Sequence, residues 1–110
     1  MKTICLRVRL KKRSIEGVRN WFNTLKERLH ETMNTLKNEE VYVESVFLDR
    51  YNDEEFLIYY MKAKDIQMAI EVYKKSTDPI DIFHKNCWNE FCEERILLEE
   101  LLDIDRIKIY

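Results

Sequence analysis

Apolar and polar residues alternate from Thr3 to Lys11. Ile4, Leu6, Val8 and Leu10 point one way, and Thr3, Cys5, Arg7, Arg9 and Lys11 the other. This period predicts a strand with one apolar face. Its polar face carries a pair of arginines, which is unusual for a simple core strand. The spacing then changes. Ile15, Val18, Phe22, Leu25, Leu29, Met33 and Leu36 recur at intervals of three and four, which predicts a single long amphipathic helix from an N-cap at Ser14 to about Asn38. Gly17 in its first turn is tolerated at modest cost.

Val41 to Arg50 is rich in β-branched and aromatic residues and reads as a strand. Tyr51-Asn52-Asp53-Glu54 is a polar turn, and Phe56 to Ala63 returns as the second strand of a hairpin. Both faces of FLIYYM are apolar or aromatic, so the pattern implies a sheet covered on both sides without saying which of Tyr59 and Tyr60 points inward. Asp65 can cap a short helix bearing Ile66, Ala69, Ile70 and Tyr73. Ser76-Thr77 breaks it, and Asp78 with Pro79 starts another, with Asp81 in its first turn and Ile80, Phe83, Cys87, Trp88 and Phe91 along its stripe. Residues 95–109 fit either a helix or a strand. A strand over their first part completes the sheet.

The resulting order is strand, helix, strand, strand, helix in two pieces, strand. That is the βαββαβ order of a ferredoxin-like α+β domain, with a four-stranded antiparallel sheet and its helices on one face. The other face then stands open. RNA-binding domains of this shape use it as a stacking platform. In dimeric α+β barrels the open faces of two subunits close on each other around a cavity. The doubly apolar third strand favours a covered face, because a large exposed apolar patch is uncommon on a monomer.

The segments TICLRVRLKKRS, VESVFLDR, FLIYYMKA, STDPIDIFH and EERILLEELLDID are similar to those of a small bacterial protein family of unknown function. The resemblance spans nearly the whole chain. It implies a domain like the dimeric α+β barrels, a group that includes monooxygenases, haem-degrading enzymes and binding proteins. It carries no catalytic residues over, and fold does not fix function.

Composition narrows the function classes. A length of 110 residues fits a single domain over 1–110. A hydrophobic share of 45% excludes a disordered chain. One glycine, Gly17, leaves no Gly-rich loop for nucleotide phosphates. No apolar run approaches the roughly 18 residues of a membrane helix, so no membrane partner is expected. The start MKTICLRVRLKKR lacks the continuous apolar stretch of a signal peptide. An odd cysteine count, 3, then fits free thiols in the cytoplasm. Charge is uneven: residues 1–38 hold 10 Lys/Arg against 3 Asp/Glu, while the remainder is acidic. A sequence pI near 5.8 nevertheless argues against a nucleic-acid partner. The first strand also offers no aromatic, and the third lacks the Gly-containing pattern of RNA-binding strands.

Candidate chemistry is sparse. His84 follows Asp81 by three residues, so a carboxylate can orient an imidazole for acid–base work or binding. Arg7 and Arg9 project from the non-helix face, where a buried arginine needs a carboxylate or a bound anion. Glu44 and Glu99 are the candidate internal partners, and Asp49 and Arg50 are expected only to cap the turn. One of Tyr59 and Tyr60 should offer its hydroxyl to the open side. Cys5 shares the Arg7 side but has no nearby base. His84, Cys87 and Cys92 lack a zinc spacing and a fourth ligand, so neither a metal nor a cofactor is expected. The expectation is a cytoplasmic homodimer closed through its sheets. It would bind a small, anionic molecule in a cavity between the sheet faces, lined by Arg7, Glu44, Tyr60, Asp81 and His84. The alternative is a structural or protein-interaction domain whose interface is filled. The sequence does not decide whether the protein is an enzyme.

Overall fold

A computed structural model describes residues 1–106. Its elements are β1 (Lys2–Leu10), α1 (Ile15–Glu27), α2 (Leu29–Glu39), β2 (Val41–Tyr51), β3 (Glu54–Ala63), α3 (Ile66–Lys75), α4 (Pro79–Phe91) and β4 (Cys92–Leu97). The strands form one antiparallel sheet in the order β2-β3-β1-β4. This is the ferredoxin-like α+β arrangement expected from the element order.

The hairpin turn is local chemistry. Asn52 and Asp53 both have positive φ, 50° and 60°, the signature of a type I′ turn, whose twist matches that of the paired strands. The turn sets the register Tyr51↔Glu54, and through it Val46↔Tyr59 and Phe47↔Ile58. On the other side β3 pairs Leu6↔Tyr59 and Val8↔Leu57 with β1. Leu6, Val8, Val46, Leu57 and Tyr59 therefore share one face. Arg7, Phe47, Ile58 and Tyr60 share the opposite one, because successive side chains alternate.

All four helices pack on the first face, in two apolar clusters. One joins Val8, Leu10 and Leu57 to Val18 and Trp21 of α1 and Cys87 of α4. The other joins Val41, Met61 and Ala63 to Ala69 of α3, with Leu36 of α2 packed against it. The thinnest dimension is 22 Å, which accommodates one layer of helices on one sheet and no third layer. Gly17 has a packing role: a Cβ built there would lie 2.5 Å from the Phe91 ring, so α1 and α4 approach as closely as they do only because the side chain is absent.

Several expectations change. The long helix from Ser14 to Asn38 is two helices, broken at Arg28 (φ −101°, ψ 41°). The Thr32 hydroxyl lies 3.0 Å from the Leu25 carbonyl and 3.1 Å from that of Arg28, and so satisfies groups at the break. The break leaves Leu29 and Met33 exposed, although they continue the apolar stripe. Ser14 and Asp78 precede their helices without a side-chain cap hydrogen bond, whereas Asp65 accepts one from the Met68 N–H at 3.1 Å. The last strand begins earlier than expected, at Cys92, and ends at Leu97. One further ladder bond runs from the Leu98 N–H to the Cys5 carbonyl, and residues 99–106 then carry no helix or strand. The expectation for residues 107–109 lies outside the described residues.

Candidate functional site

On β3, Tyr59 stands between Leu57 of one apolar cluster and Met61 of the other. The side chains that meet at this boundary are polar. They come from α2 (Thr35, Glu39), β2 (Glu44), β3 (Tyr59), α3 (Tyr73) and α4 (Asp81, His84).

Hydrogen bonding gives this group a direction. The Trp21 Nε1–H lies 2.9 Å from His84 Nδ1. An indole nitrogen only donates, so Nδ1 must accept, and the neutral ring carries its hydrogen on Nε2. Nε2 lies 3.2 Å from the Tyr59 hydroxyl and donates to it. The Tyr59 hydrogen is then left for Glu44, whose carboxyl group sits beside the same hydroxyl. The chain runs Trp21 to His84 to Tyr59 to Glu44, every donor pointing towards the carboxylate. Burial pushes His84 down to about 4, partly offset by Asp81. At neutral pH the ring is uncharged, as the indole bond requires. Burial and the Glu44 charge push the Tyr59 hydroxyl well above its ordinary value. Burial chiefly, with Asp81 adding to it, raises Glu44, and Tyr59 offsets part of the effect. The rings of Trp21, Tyr73 and Trp88 pack around the imidazole, at centroid distances of 5.3, 5.5 and 6.4 Å.

A second hydrogen-bonded group adjoins it. The Asp81 carboxylate, almost fully buried, takes the Thr35 hydroxyl at 2.5 and 2.6 Å and the Ser76 hydroxyl at 2.5 Å. Thr35 also lies 3.3 Å from Glu39. A hydroxyl has one hydrogen to give, and Asp81 takes it. Glu39 is suited to donate to Thr35 in return. Its pKa is pushed up to about 8 by burial first and then by Glu44 and Asp81, so its carboxyl group is protonated at neutral pH. Lys85 caps the end of α3, its ammonium donating to the Lys74 and Ser76 carbonyls at 3.1 and 2.9 Å.

Glu44 also faces a cleft of about 400 Å³ between α1, the start of α2 and the edge strand β2. Phe22, Leu25, Val46, Leu48 and Leu57 supply apolar walls, while Arg19 and Lys26 contribute positive charge. The other members of the hydrogen-bond chain do not line the cleft, so Glu44 joins it to the buried network. An arrangement of this kind can hold a small apolar body and offer it one acceptor.

The five residues expected in one cavity divide between the two faces of the sheet. Glu44, Asp81 and His84 lie on the helix side. Arg7 and Tyr60 lie on the open side. Asp81 accepts no hydrogen bond from His84, whose ring nitrogens meet Trp21 and Tyr59 instead. Neither Glu44 nor Glu99 meets Arg7. Its guanidinium sits 3.7 Å above the Phe56 ring, with Asp49 at 3.4 Å. Asp49 therefore does more than end a strand. Trp21, Thr35 and Glu39 escape sequence reasoning, and Tyr59 proves to be the tyrosine that points inward. Trp21 carries the only available signal, since it falls beside the α1 apolar stripe and an indole in a core needs an acceptor.

Fold and site together define a ferredoxin-like α+β protein with an apolar cleft on its helix side and a carboxylate-terminated hydrogen-bond chain behind it. More particularly, the chain belongs to a family of unknown function, DUF6176, whose model matches residues 1–109. Among curated proteins no match is found. Among solved structures, a putative antibiotic biosynthesis monooxygenase from Nitrosomonas europaea superposes with a TM-score of 0.59 at 10% identity, over 93% of this chain and 100% of that one. At that identity the likeness is one of fold. No helix among the described residues is long and apolar enough to cross a membrane.

Proposed function

We propose that this protein binds a small molecule in the cleft between α1 and β2. The observation that carries the reading is the cleft itself, about 400 Å³ with apolar walls and the Glu44 carboxyl group as its link to the buried network. Perturbed titratable groups packed behind such a cleft are more common at functional sites than in ordinary cores. The neighbour described as a putative monooxygenase has the same fold, which suits a binding role without fixing a reaction. The cleft lies on the helix side of the sheet, apart from the cavity between sheet faces that the sequence led us to expect. The test is a fragment screen of one- and two-ring aromatic molecules by amide NMR. Hits should shift Phe22, Leu25 and Val46, and Leu25→Trp, which fills the cleft, should abolish them. A screen at millimolar concentration with no hit around the cleft would sink the reading.

A second reading concerns the open face. Phe47 and Ile96 on this face, and Leu101, Leu102 and Ile104 in the segment after β4, are all at least half exposed, a large apolar load for a monomer. A homodimer closed through this face would cover Phe47 and Ile96. Arg7 and Tyr60 would then lie inside the interface, where Asp49 and Phe56 already satisfy the Arg7 guanidinium. Light scattering on a sizing column should give twice the 13.6 kDa chain mass. Phe47→Lys should return the chain mass with unchanged circular dichroism. A monomer at high micromolar concentration rejects this reading and leaves the first untouched.

A further inference from the structure

We infer that the cleft takes a neutral, largely apolar molecule presenting one N–H or O–H donor to Glu44. The inference rests on the reading of the cleft as a small-molecule site and names the class of molecule. Three observations carry it. First, the buried hydrogen-bond chain has a fixed direction. The donor-only indole sets the His84 tautomer, His84 donates to Tyr59, and Tyr59 turns its hydrogen to Glu44. No donor in the chain is left to serve a ligand, and Glu44 is its terminal acceptor. A carboxyl group keeps acceptor capacity beyond the one position that Tyr59 uses, whichever its protonation state. Second, no other hydrogen bond between described residues reaches Glu44, so its remaining acceptor capacity is turned towards the cleft. The surrounding walls are chiefly apolar, Phe22, Leu25, Val46, Leu48 and Leu57; Asn23 and Thr32 also line the cleft, and the Thr32 hydroxyl already gives its hydrogen to the backbone carbonyls at the helix break.

Third, the lining holds charges of both signs, so neither ion meets only attraction: Glu44 opposes an anion that Arg19 and Lys26 attract, and they oppose a cation that Glu44 attracts. An anionic ligand would have to approach the Glu44 carboxylate, and the Asp81 charge already acts on that group from behind. A cationic ligand would enter past Arg19 and Lys26. A neutral donor meets neither penalty. It exchanges a hydrogen bond with water for one to the Glu44 carboxyl oxygen in an apolar setting, where such bonds are stronger than in water. This departs from the anionic ligand expected from the arginines of β1, because those arginines lie on the other face of the sheet.

The probes are indole and 1-methylindole, which differ only in the donor, together with indole-3-carboxylate, which adds the negative charge. Each is titrated into the full-length protein at neutral pH by calorimetry, with amide NMR to place the site. Indole should bind about tenfold more tightly than 1-methylindole, the ratio expected for one well-made hydrogen bond. Indole-3-carboxylate should be the weakest of the three. In Glu44→Leu, which keeps the side-chain volume but cannot accept, the two indoles should bind alike. The wild-type ratio decides the matter even if that variant fails to fold. Equal affinity for indole and 1-methylindole, both shifting cleft residues, overturns the donor inference and leaves the small-molecule reading standing. Tightest binding by the carboxylate overturns the charge argument and with it the inference. Binding of none of the three overturns the inference, and the wider fragment screen then decides the reading beneath it.

Discussion

An indole N–H has no lone pair to offer, and at His84 that fact propagates. With Trp21 on Nδ1, the imidazole is fixed as the neutral Nε2–H tautomer, and protonating Nδ1 would break the 2.9 Å bond as well as charge a buried ring. Trp21→Phe removes the donor and keeps most of the ring. The expected result is a loss of about 1–3 kcal/mol in urea unfolding, because a buried acceptor is left without a partner. The His84 pKa should also rise from about 4, read from its ring proton shifts. A second residue-scale consequence comes from Glu39. In the folded protein its pKa is raised from 4.5 to about 8, so between those values the folded state holds the extra proton and stability falls as pH rises. His84 has the opposite sign. Its pKa is lowered from 6.5 to about 4, the unfolded state holds the extra proton in that interval, and stability rises with pH. The two oppose each other from about pH 4.5 to 6.5; above 6.5 the His84 gain is complete and the Glu39 loss continues, with the raised Glu44 acting in the same direction. Thermal unfolding should show Tm falling from pH 6.5 to 8. Glu39→Gln, which can still donate to Thr35, should make that fall shallower. A wild-type Tm that climbs over this interval would refute the assignment.

Elements were legible wherever one local signal dominated. The alternation of β1, the Asn-Asp turn, the Asp65 cap and the Pro79 start all stand where the pattern put them, because each is decided within a few residues. The unbroken reading of Ser14 to Asn38 failed because periodicity registers spacing, not continuity. Leu29 and Met33 keep the period across Arg28 while the chain bends away beneath them. The strand favoured over the first part of residues 95–109 stands as the end of β4, while Leu98, Leu101 and Leu102 beyond it lie exposed in neither strand nor helix, since leucines suit both. The α2 terminus offers an element-scale prediction. Glu40 occupies the left-handed region at φ 55°, a place where a side chain is strained and glycine is not. Glu40→Gly should stabilise the protein by about 0.5–1 kcal/mol, since the contact it forfeits is an exposed 3.9 Å ion pair with Lys64. Gly17→Val should cost about 1–3 kcal/mol, read as a lower urea midpoint, because its methyl groups meet the Phe91 ring.

For the molecule as a whole, the sheet separates what the sequence joined. Arg7 and Glu44 were expected in one cavity because both lie on strands and bear charge. Which side each occupies depends on pairing register, and no pattern within β2 announces it. The uneven charge of the two halves is resolved partly across strands. Arg7 meets Asp49 at 3.4 Å and Arg9 approaches Glu54 at 3.7 Å, so carboxylates of the acidic portion serve the basic β1. The segment after β4 returns along the sheet. The Thr3 hydroxyl donates to Asp103 at 2.8 Å, and Lys62 reaches Asp103 and Asp105 at 3.5 and 3.1 Å. The buried hydrogen-bond chain was the least legible part, because its four residues come from four elements, α1, α4, β3 and β2, and only the assembled fold brings them within reach of one another.

The chain has 2 tryptophans, Trp21 and Trp88, and both rings lie within 6.4 Å of His84. Intrinsic fluorescence is therefore a local signal in this protein. An imidazolium quenches a neighbouring indole more strongly than a neutral ring does, so the emission of the unlabelled chain should dim as acid charges His84. The same emission should respond when a guest near Glu44 perturbs the relay. The fold thus carries its own optical gauge of the interior, readable at dilute concentration without an attached dye.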